Sequence, residues 1–312
     1  MASGLRPSDP SLLYAGTSDD PRLGDRIERG IPLRGGIALL GFADDRAIVN
    51  GRGRAGAAAG PGEMRRFLSR LTPGDRGELD GLAMRDLGDA PPSGSIEETH
   101  ALVEEAALEA LHAGACVVLL GGGHDGAFAS HSALLRAVPG RVAAVNVDAH
   151  LDVRPLREGK ITSGTPFRRL AERWGDRYGL VEFGIQPQHN ARSHRVFCEE
   201  RGFPVVTLAR ARERGIAAAF ERALAQDGDA LAVSLDLDSV EAASAPGVSA
   251  PCPDGFSAAD LFACARAAGA DPRVRVLDVM ELSPPLDQDG RTARLAAMAI
   301  WSFLAGYAAR SR

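Results

Sequence analysis

Three short segments of this sequence carry carboxylate and imidazole side chains, the groups that bind divalent metal ions and transfer protons. The segments are residues 121–125 (GGGHD), 148–152 (DAHLD) and 236–238 (DLD), and each follows an apolar run that predicts a buried β-strand. Two histidines and four aspartates in them are candidate ligands for two divalent metal ions. These residues are His124, Asp148, His150, Asp152, Asp236 and Asp238.

The spacing of these residues suits one shared site. Side chains alternate along an extended segment, so residues two apart in DAHLD would lie on one side, as would the two aspartates of DLD. The three glycines before His124 would let the backbone turn sharply toward the same point. Four carboxylates gathered there would repel each other, and two divalent cations would balance their charge.

The ligand types indicate which metal and which chemistry to expect. An oxygen-rich set with imidazole and no sulfur suits Mn²⁺ first, with Zn²⁺, Fe²⁺, Ni²⁺ and Co²⁺ as alternatives. Two such ions about 4 Å apart can share a water molecule, lower its pKa and promote its attack on an electrophilic carbon. Hydrolysis is therefore the expected reaction class.

Each segment alone has a more ordinary interpretation. An Asp-x-Asp pair is common in turns and helix caps, and a lone histidine is often a buried, hydrogen-bonded side chain. The joint occurrence of three segments favours the metal site. The glycine run lacks both the lysine of a phosphate-binding loop and the G-x-G-x-x-G spacing, so a nucleotide site is not expected.

Strands and helices alternate along the chain and would position the candidate ligands at one edge of a sheet. Apolar runs without clear alternation predict strands at residues 36–41, 116–120, 142–147, 180–183, 204–208, 230–235 and 274–279. Helical spacing predicts helices at residues 62–71, 96–113, 127–137, 216–225, 258–268 and 292–307. Residues 51–62 are expected to form a loop. The pattern predicts a three-layer α/β/α fold with a doubly wound, mostly parallel sheet, which binds ligands beyond the carboxyl ends of its strands.

Composition sets limits on partners and location. The 312 residues are 45% hydrophobic and 25% charged, and the net charge of −5 gives no reason to expect a nucleic-acid or membrane partner. No apolar run approaches about 20 residues, and residues 1–20 lack the apolar core of a signal peptide, so a cytoplasmic location is expected. The four cysteines are scattered, which predicts buried free thiols. Residues 1–30 are predicted to be an arm or extended segment before a single catalytic domain, residues 31–312.

The chain resembles the ureohydrolase superfamily of arginases, agmatinases and formimidoylglutamases. Residues 122–125, 148–152 and 234–238 (SLDLD) match the three metal motifs of that superfamily, and the resemblance extends from about residue 36 to about residue 304. It implies an arginase-like fold, a dinuclear manganese centre, a small-molecule substrate and usually a homo-oligomer. Carried over to this sequence, it implies that Asp148 and Asp236 bridge the two ions. The other implied ligands are His124 and Asp152 for the first ion and His150 and Asp238 for the second.

Other segments resemble the formimidoylglutamase branch. Arginases and agmatinases have a histidine before the glycine of a motif that here reads TSGTPF, residues 162–167, with Ser163 in the histidine position and Gly164 as the glycine. Both residues are expected to line the substrate site. Residues 152–156 (DVRPL), 245–251 (APGVSAP), 287–294 (DQDGRTAR) and 53–61 (GRAGAAAGP) are also similar to this branch. The resemblance implies a formimidoyl group as the substrate rather than a guanidine.

Glu281 matches the superfamily acid that anchors the amidine or guanidine group. An anionic carboxylate can make paired, charge-assisted hydrogen bonds to such a planar cation. The two carboxylates of formimidoylglutamate predict cations in the pocket. Arg154 is favoured because it lies two residues beyond the last metal ligand of DAHLD. Further candidates are Arg168 and Arg192, with Asn190 as a polar contact.

The remaining histidines fall into two groups. His189 and His194 could reach the site, although a surface position fits them equally well. His100, His112 and His131 lie in predicted helices and are not expected to be ligands.

The expected reaction is hydrolysis of N-formimidoyl-L-glutamate to L-glutamate and formamide, a step of histidine degradation. Asp152 would orient the attacking water or carry its proton, and Glu281 would bind the amidine. One alternative is a hydrolase of guanidino compounds such as agmatine or guanidinobutyrate. A metal-dependent amidohydrolase on acylated amines and a non-catalytic metal-binding assembly or sensor protein are further alternatives.

Overall fold

Nine parallel strands form one sheet at the centre of the computed structural model, which describes residues 4–30 and 35–310. The order across the sheet is β1-β3-β2-β4-β9-β8-β5-β6-β7. The predicted α/β/α fold with a doubly wound, mostly parallel sheet is confirmed. The strands are β1 (Ile27–Arg29), β2 (Ile37–Phe42), β3 (Met84–Ala90), β4 (Cys116–Leu120), β5 (Val142–Val147), β6 (Tyr178–Ile185), β7 (Val205–Thr207), β8 (Ala230–Asp236) and β9 (Val274–Met280).

All seven predicted strands are present, with ends that differ by at most two residues, but the sequence pattern missed β1 and β3. β3 was not predicted because its sequence, MRDLGDA, contains three charged residues and therefore lacks an apolar run. Asp86 on this strand is buried, and its carboxylate pairs with the buried guanidinium of Arg65 at 2.9 Å. Pairing within the interior offsets much of the cost of burying either charge, so a polar sequence can form an inner strand.

Helices cover both faces of the sheet. One face packs against α2 and α7–α10, and the other packs against α3–α6. Successive strand residues face opposite layers: Val118 and Leu120 of β4 belong to the first core, and Val117 and Leu119 to the second. The helices are α1 (Arg46–Asn50), α2 (Gly60–Leu68), α3 (Ile96–His112), α4 (Ala127–Ala137), α5 (Pro166–Trp174), α6 (Arg192–Glu200), α7 (Leu208–Arg214), α8 (Ile216–Leu224), α9 (Ala258–Ala270) and α10 (Arg291–Ala309).

The six predicted helices are present within three residues at each end, whereas α1, α5, α6 and α7 were not predicted. These four are short or rich in arginine, and they have too few apolar residues for a clear helical period. The loop expected over residues 51–62 is wrong in its last part. Residues Ala57–Ala59 form a 3₁₀ turn, and α2 begins at Gly60 with Pro61 in its first turn, where proline needs no hydrogen-bond donor.

Residues 4–30 contact the sheet through side chains and backbone. Ser8 donates a hydrogen bond to Asp86, Leu23 is fully buried, and β1 pairs with β3 at the edge of the sheet. The division into an arm over residues 1–30 and a domain over residues 31–312 stays a prediction, and residues 1–3, 31–34 and 311–312 lie outside the described residues.

Across residues 4–30 and 35–310, none of the helices combines the length and hydropathy needed to cross a lipid bilayer.

Candidate metal centre

Four neighbouring strands in the middle of the sheet end at the candidate site. β4, β9, β8 and β5 are adjacent in that order, and because all strands are parallel, their carboxyl ends meet at one edge. His124 follows β4, Glu281 follows β9, Asp236 ends β8 and Asp148 follows β5. The topology therefore brings together residues that lie more than 150 positions apart in the chain.

The glycines before His124 are needed for close packing. Each of the three has a negative φ, which other residues can also adopt. The sharp turn expected at these positions therefore does not explain why they are glycines. A Cβ atom on Gly122 would lie 2.1 Å from the carbonyl oxygen of Asp44 and 2.7 Å from that of Phe42. Only glycine lets this backbone approach the end of β2 so closely, and the approach places His124 over the sheet edge.

The first ligand cluster surrounds the Nδ1 atom of His124. This atom lies 2.9 Å from Asp236 Oδ2, 3.0 Å from Asp152 Oδ2 and 3.3 Å from Asp148 Oδ2. All four side chains are buried, and their potential ligand atoms lie within 4.8 Å of one another. Two ligand atoms at right angles on one ion, each about 2.1 Å from it, would lie about 3 Å apart, which matches this spacing.

The second cluster lies beside the first and shares Asp148. His150 Nδ1 lies 3.3 Å from Asp148 Oδ1 and 3.4 Å from Asp238 Oδ1. These three residues also offer ligand atoms within 4.8 Å of one another. The two oxygens of Asp148 thus face different clusters, as a carboxylate that bridges two ions would.

The backbone that carries these ligands is turned, whereas the alternation of side chains was predicted for extended segments. The backbone N–H of His150 donates to Asp148 Oδ1 at 2.7 Å, and that of Asp238 donates to Asp236 Oδ1 at 2.8 Å. Such turns are built by an aspartate that accepts a hydrogen bond from the residue two positions on. The ligands converge because each segment folds around its first aspartate.

The Nδ1 atom of His124 faces the first cluster and can bind an ion once it has no proton. His124 Nε2 lies 2.9 Å from the hydroxyl of Ser234, and if this nitrogen carries the proton, Nδ1 presents a lone pair. Among the described residues, the neighbours of the buried atoms His124 Nδ1 and Asp238 Oδ1 are close, but none of them has the geometry of a hydrogen bond to these atoms. Buried polar atoms without partners are costly, and a cation would satisfy both of them. The donor set therefore fits two divalent ions.

Electrostatics also indicate that positive charge belongs here. Burial together with repulsion from Asp238 and Asp148 raises the pKa of Asp236 well above its usual range. Burial likewise raises the pKa of Asp238 to about 6. Burial alone would lower the pKa of His124, but Asp236 and the other carboxylates around it raise that pKa well above 6.5. Protons take the place of cations when such a cluster is left without metal.

Glu281 and Asp152 both have left-handed backbone conformations, with φ of 70° and 43°. Such φ values are uncommon for residues other than glycine and cluster at functional sites. Glu281 is buried, and its Oε1 accepts a hydrogen bond from the backbone N–H of His124 at 2.9 Å. The acid is thereby fixed beside the first ligand cluster.

A cavity of about 270 Å³ opens directly onto the ligands. Asp152, Glu281, Ser163 and Gly164 line it, together with Arg154. A Cβ atom on Gly164 would lie 2.7 Å from Arg154 Cδ, so glycine at this position makes room for the arginine. The structure thus brings five of the predicted catalytic and substrate residues around one cavity.

A second cavity of about 630 Å³ adjoins the first and is rich in cations. Arg52 and Arg154 line both cavities, and Arg157 and Lys160 line the outer one. Among the described residues, the guanidinium groups of Arg52, Arg154 and Arg157 form no ion pair and no hydrogen bond. Arg52, Arg157 and Lys160 were not predicted from the sequence. Their only signal was proximity in the chain to the glycine-rich loop and to the DAHLD segment.

Asn190 supports the metal segment from behind. Its Oδ1 accepts a hydrogen bond from the backbone of Leu151, and its Nδ2 donates to the carbonyls of Ala149 and Gln186. Both amide hydrogens are therefore in use. A contact between Asn190 and substrate stays a prediction. The hydrogen bonds of Asn190 within the protein do not support it.

The other predicted contacts are divided between surface and cavity. Arg168 pairs with Glu172 and lies over the ring of Phe197, and neither Arg168 nor Arg192 lines the two site cavities. His189 and His194 do line the outer cavity.

The helix histidines pair with acids elsewhere. The imidazole of His100 lies 2.7 Å from Asp125, and that of His131 lies 2.9 Å from Asp278. His112, in the last turn of α3, is exposed. Within the described chain, none of these three belongs to a cluster able to hold a metal ion.

Comparison with known proteins agrees with the geometry. The arginase family model matches residues 36–306. A formimidoylglutamase of Halobacterium salinarum is 38% identical over 276 residues, which cover 86% of this chain and 87% of that protein. A formimidoylglutamase of Aromatoleum aromaticum is 35% identical, with 85% and 82% covered.

A solved structure extends the similarity to three dimensions. The crystal structure of Trypanosoma cruzi formiminoglutamase with Mn²⁺ superposes with a TM-score of 0.87 and 35% identity. The alignment covers 94% of this chain and all of that one.

Proposed function

This chain belongs to the arginase family, and we propose that it hydrolyses N-formimidoyl-L-glutamate to L-glutamate and formamide at a centre of two Mn²⁺ ions. One observation carries the proposal: two ligand clusters that share Asp148 open onto a cavity that also contains a buried glutamate. The 38% identity with a formimidoylglutamase supports the choice of substrate.

The residues around Asp148 would hold the metal. His124, Asp152 and Asp236 would complete the first set, and His150 and Asp238 would complete the second. Other divalent metals suit the same ligands. When bound, the ions supply Lewis acidity, which lowers the pKa of water toward neutrality.

The protein side chains would bind and orient the reactants. Glu281 would accept hydrogen bonds from the two nitrogens of the amidine cation, whose carbon would then face the ligand clusters. Asp152 would orient the attacking water and carry its proton. The water oxygen bonds to the formimidoyl carbon, the bond from that carbon to the glutamate nitrogen breaks, and both water protons pass to that nitrogen, so that formamide and the ammonium form of glutamate are released.

The outer cavity fits the other end of this substrate. Arg52 and Arg154 lie where the two cavities adjoin, and Arg157 and Lys160 lie further out. A dicarboxylate would find charge-assisted partners there, whereas agmatine carries an amine in place of carboxylates. Ser163 and Gly164, which line the inner cavity, would contact the formimidoyl end.

A substrate panel tests the proposal. Metal-depleted protein is reloaded with Mn²⁺ and incubated with formimidoylglutamate, agmatine and guanidinobutyrate, and release of formamide or urea is measured. We expect formamide from the first compound only, and loss of this activity in Asp148→Ala. Urea release from a guanidino compound without formamide release would favour the guanidino hydrolase, and Mn²⁺ binding without any turnover would favour a metal-binding assembly or sensor protein.

Three further expectations stay proposals. A homo-oligomeric state follows from the resemblance to the superfamily, and a cytoplasmic location and a single catalytic domain over residues 31–312 follow from the sequence.

A further inference from the structure

A row of four buried polar residues crosses the sheet one level below the metal ligands. Glu182, Asn146, Ser234 and Asp278 are neighbours in register on β6, β5, β8 and β9. Each has a relative exposure of 0%, and each lies on the face that packs against α3–α6. Polar residues at adjacent positions in the interior of a parallel sheet are costly, so their presence calls for a reason.

The position of the row supplies one reason. Because strand residues two apart share a face, Asn146 lies directly below Asp148, and Ser234 lies directly below Asp236. Ser234 is in contact with His124, and Asn146 with Asp148. The two middle members of the row thus each contact a metal ligand.

Asn146 connects Asp148 to the end of the row. Its Nδ2 donates to Asp148 Oδ2 at 3.3 Å and to Glu182 Oε2 at 2.9 Å. An amide nitrogen has two hydrogens, so these two acceptors use its full donor capacity. With Glu182 in place, the amide has one orientation in which both hydrogens are bonded, and that orientation presents a hydrogen to Asp148.

Glu182 has no cation to balance its charge. No ion pair of Glu182 occurs within the described residues, and its Oε1 has no hydrogen-bond partner there. Burial, together with repulsion from Asp148 and Asp152, raises the pKa of Glu182 well above its usual range, and the hydrogen bond from Asn146 opposes this only in part. A neutral carboxyl group still accepts a hydrogen bond through its carbonyl oxygen.

We propose that Glu182 and Asn146 are positioning residues of the metal centre: Glu182 fixes the amide of Asn146, and the amide holds the carboxylate of Asp148 at the angle at which it serves both ligand clusters. This inference rests on the proposed dinuclear centre. The partners of metal ligands typically change metal affinity about 10- to 100-fold when removed.

Mn²⁺ binding by metal-depleted protein, measured by isothermal titration calorimetry, tests the inference. In Glu182→Leu, the acceptor for Asn146 is lost, and we expect both Mn²⁺ equivalents to bind about 10- to 100-fold more weakly because Asp148 belongs to both clusters. In Glu182→Gln, a neutral acceptor remains, and we expect affinities within about threefold of the wild type.

Tyr178→Phe is the matched control, because Tyr178 is a buried polar residue on the same strand and its hydroxyl contacts His131. Wild-type affinity in Glu182→Leu, or equal weakening in Glu182→Leu and Tyr178→Phe, would overturn the proposal. Weak binding by Glu182→Gln would also overturn it, since a neutral acceptor would then be insufficient.

A second variant applies if Glu182→Leu does not fold. Asn146→Ala leaves Glu182 in place and removes the amide that donates to Asp148, and we expect both Mn²⁺ equivalents to bind about 10- to 100-fold more weakly. Wild-type affinity in Asn146→Ala would overturn the proposal. If the wild type itself does not bind two Mn²⁺ ions, the proposed function fails, whereas altered affinity in the variants alone concerns Glu182.

Discussion

The carboxylate of Glu281 accepts a hydrogen bond from the backbone N–H of His124, with 2.9 Å between Oε1 and N. The bond from the Glu281 backbone N–H to the carbonyl of Gly122, also 2.9 Å, ties the same two segments together. The group that would bind the substrate and a ligand that would bind the metal are therefore fixed to each other. This contact couples the distance between substrate and metal to the packing of β4 against β9.

Glu281→Gln separates substrate binding from metal binding. Its amide oxygen can still accept the hydrogen bond from His124, so we expect Mn²⁺ affinity to be retained. The charge that attracts the amidine is lost, and kcat/KM for formimidoylglutamate should fall about 10- to 100-fold, the value of a charge-assisted hydrogen bond. Steady-state kinetics at saturating Mn²⁺ measure this, with Glu172→Gln on the surface as control. Unchanged kcat/KM would exclude an amidine-binding role for Glu281.

Ser234→Ala should weaken the binding of one metal ion and leave the binding of the other unchanged. The hydroxyl of Ser234 contacts Nε2 of His124, and His124 belongs only to the first ligand cluster. Without this contact, the imidazole can rotate or carry its proton on Nδ1, and we expect about 10- to 100-fold weaker binding of one Mn²⁺ equivalent. Calorimetric titration distinguishes the two equivalents. Ser130→Ala, also buried but bonded within α4, is the control, and equal weakening of both ions in Ser234→Ala would contradict the assignment.

The ligands could be predicted from the sequence because each ligand segment directly follows a strand whose apolar run is visible. The outer cavity could not be predicted from the sequence, because it forms between loops that are distant in the chain. Asn50 donates a hydrogen bond to the carbonyl of Ile161, 111 residues away, and Asn50 lines this cavity together with Arg52 and Arg157. Similarly, Glu182 lies in an otherwise apolar strand, and only the register of β5 and β6 reveals what it contacts.

The cationic cavity should determine the strength of substrate binding. We expect Arg154→Ala and Arg52→Ala to raise KM for formimidoylglutamate about 10- to 100-fold, with a smaller effect on kcat, because carboxylate contacts are made in the ground state and the transition state alike. Added salt should raise the wild-type KM by screening these charges. Arg192→Ala, which removes an exposed arginine outside both cavities, is the control. An unchanged KM in both variants would place the substrate carboxylates elsewhere.

Metal binding should release protons, and its affinity should rise with pH. Without bound metal, the surrounding carboxylates would raise the pKa values of His124 and His150, so both imidazoles would carry a second proton and a positive charge at neutral pH. Burial raises the pKa of Asp238 to about 6, so this carboxyl group is partly protonated near pH 6 and contributes at the low end of the range. A raised pKa means a more tightly held proton that Mn²⁺ must displace, so each proton released gives about a tenfold gain in apparent affinity per pH unit. Calorimetric titration in buffers with different ionisation enthalpies counts these protons, and the affinity is measured from about pH 6 to about pH 8. A flat affinity and no proton release would mean that the histidines are already neutral, and would contradict the electrostatic account of the site.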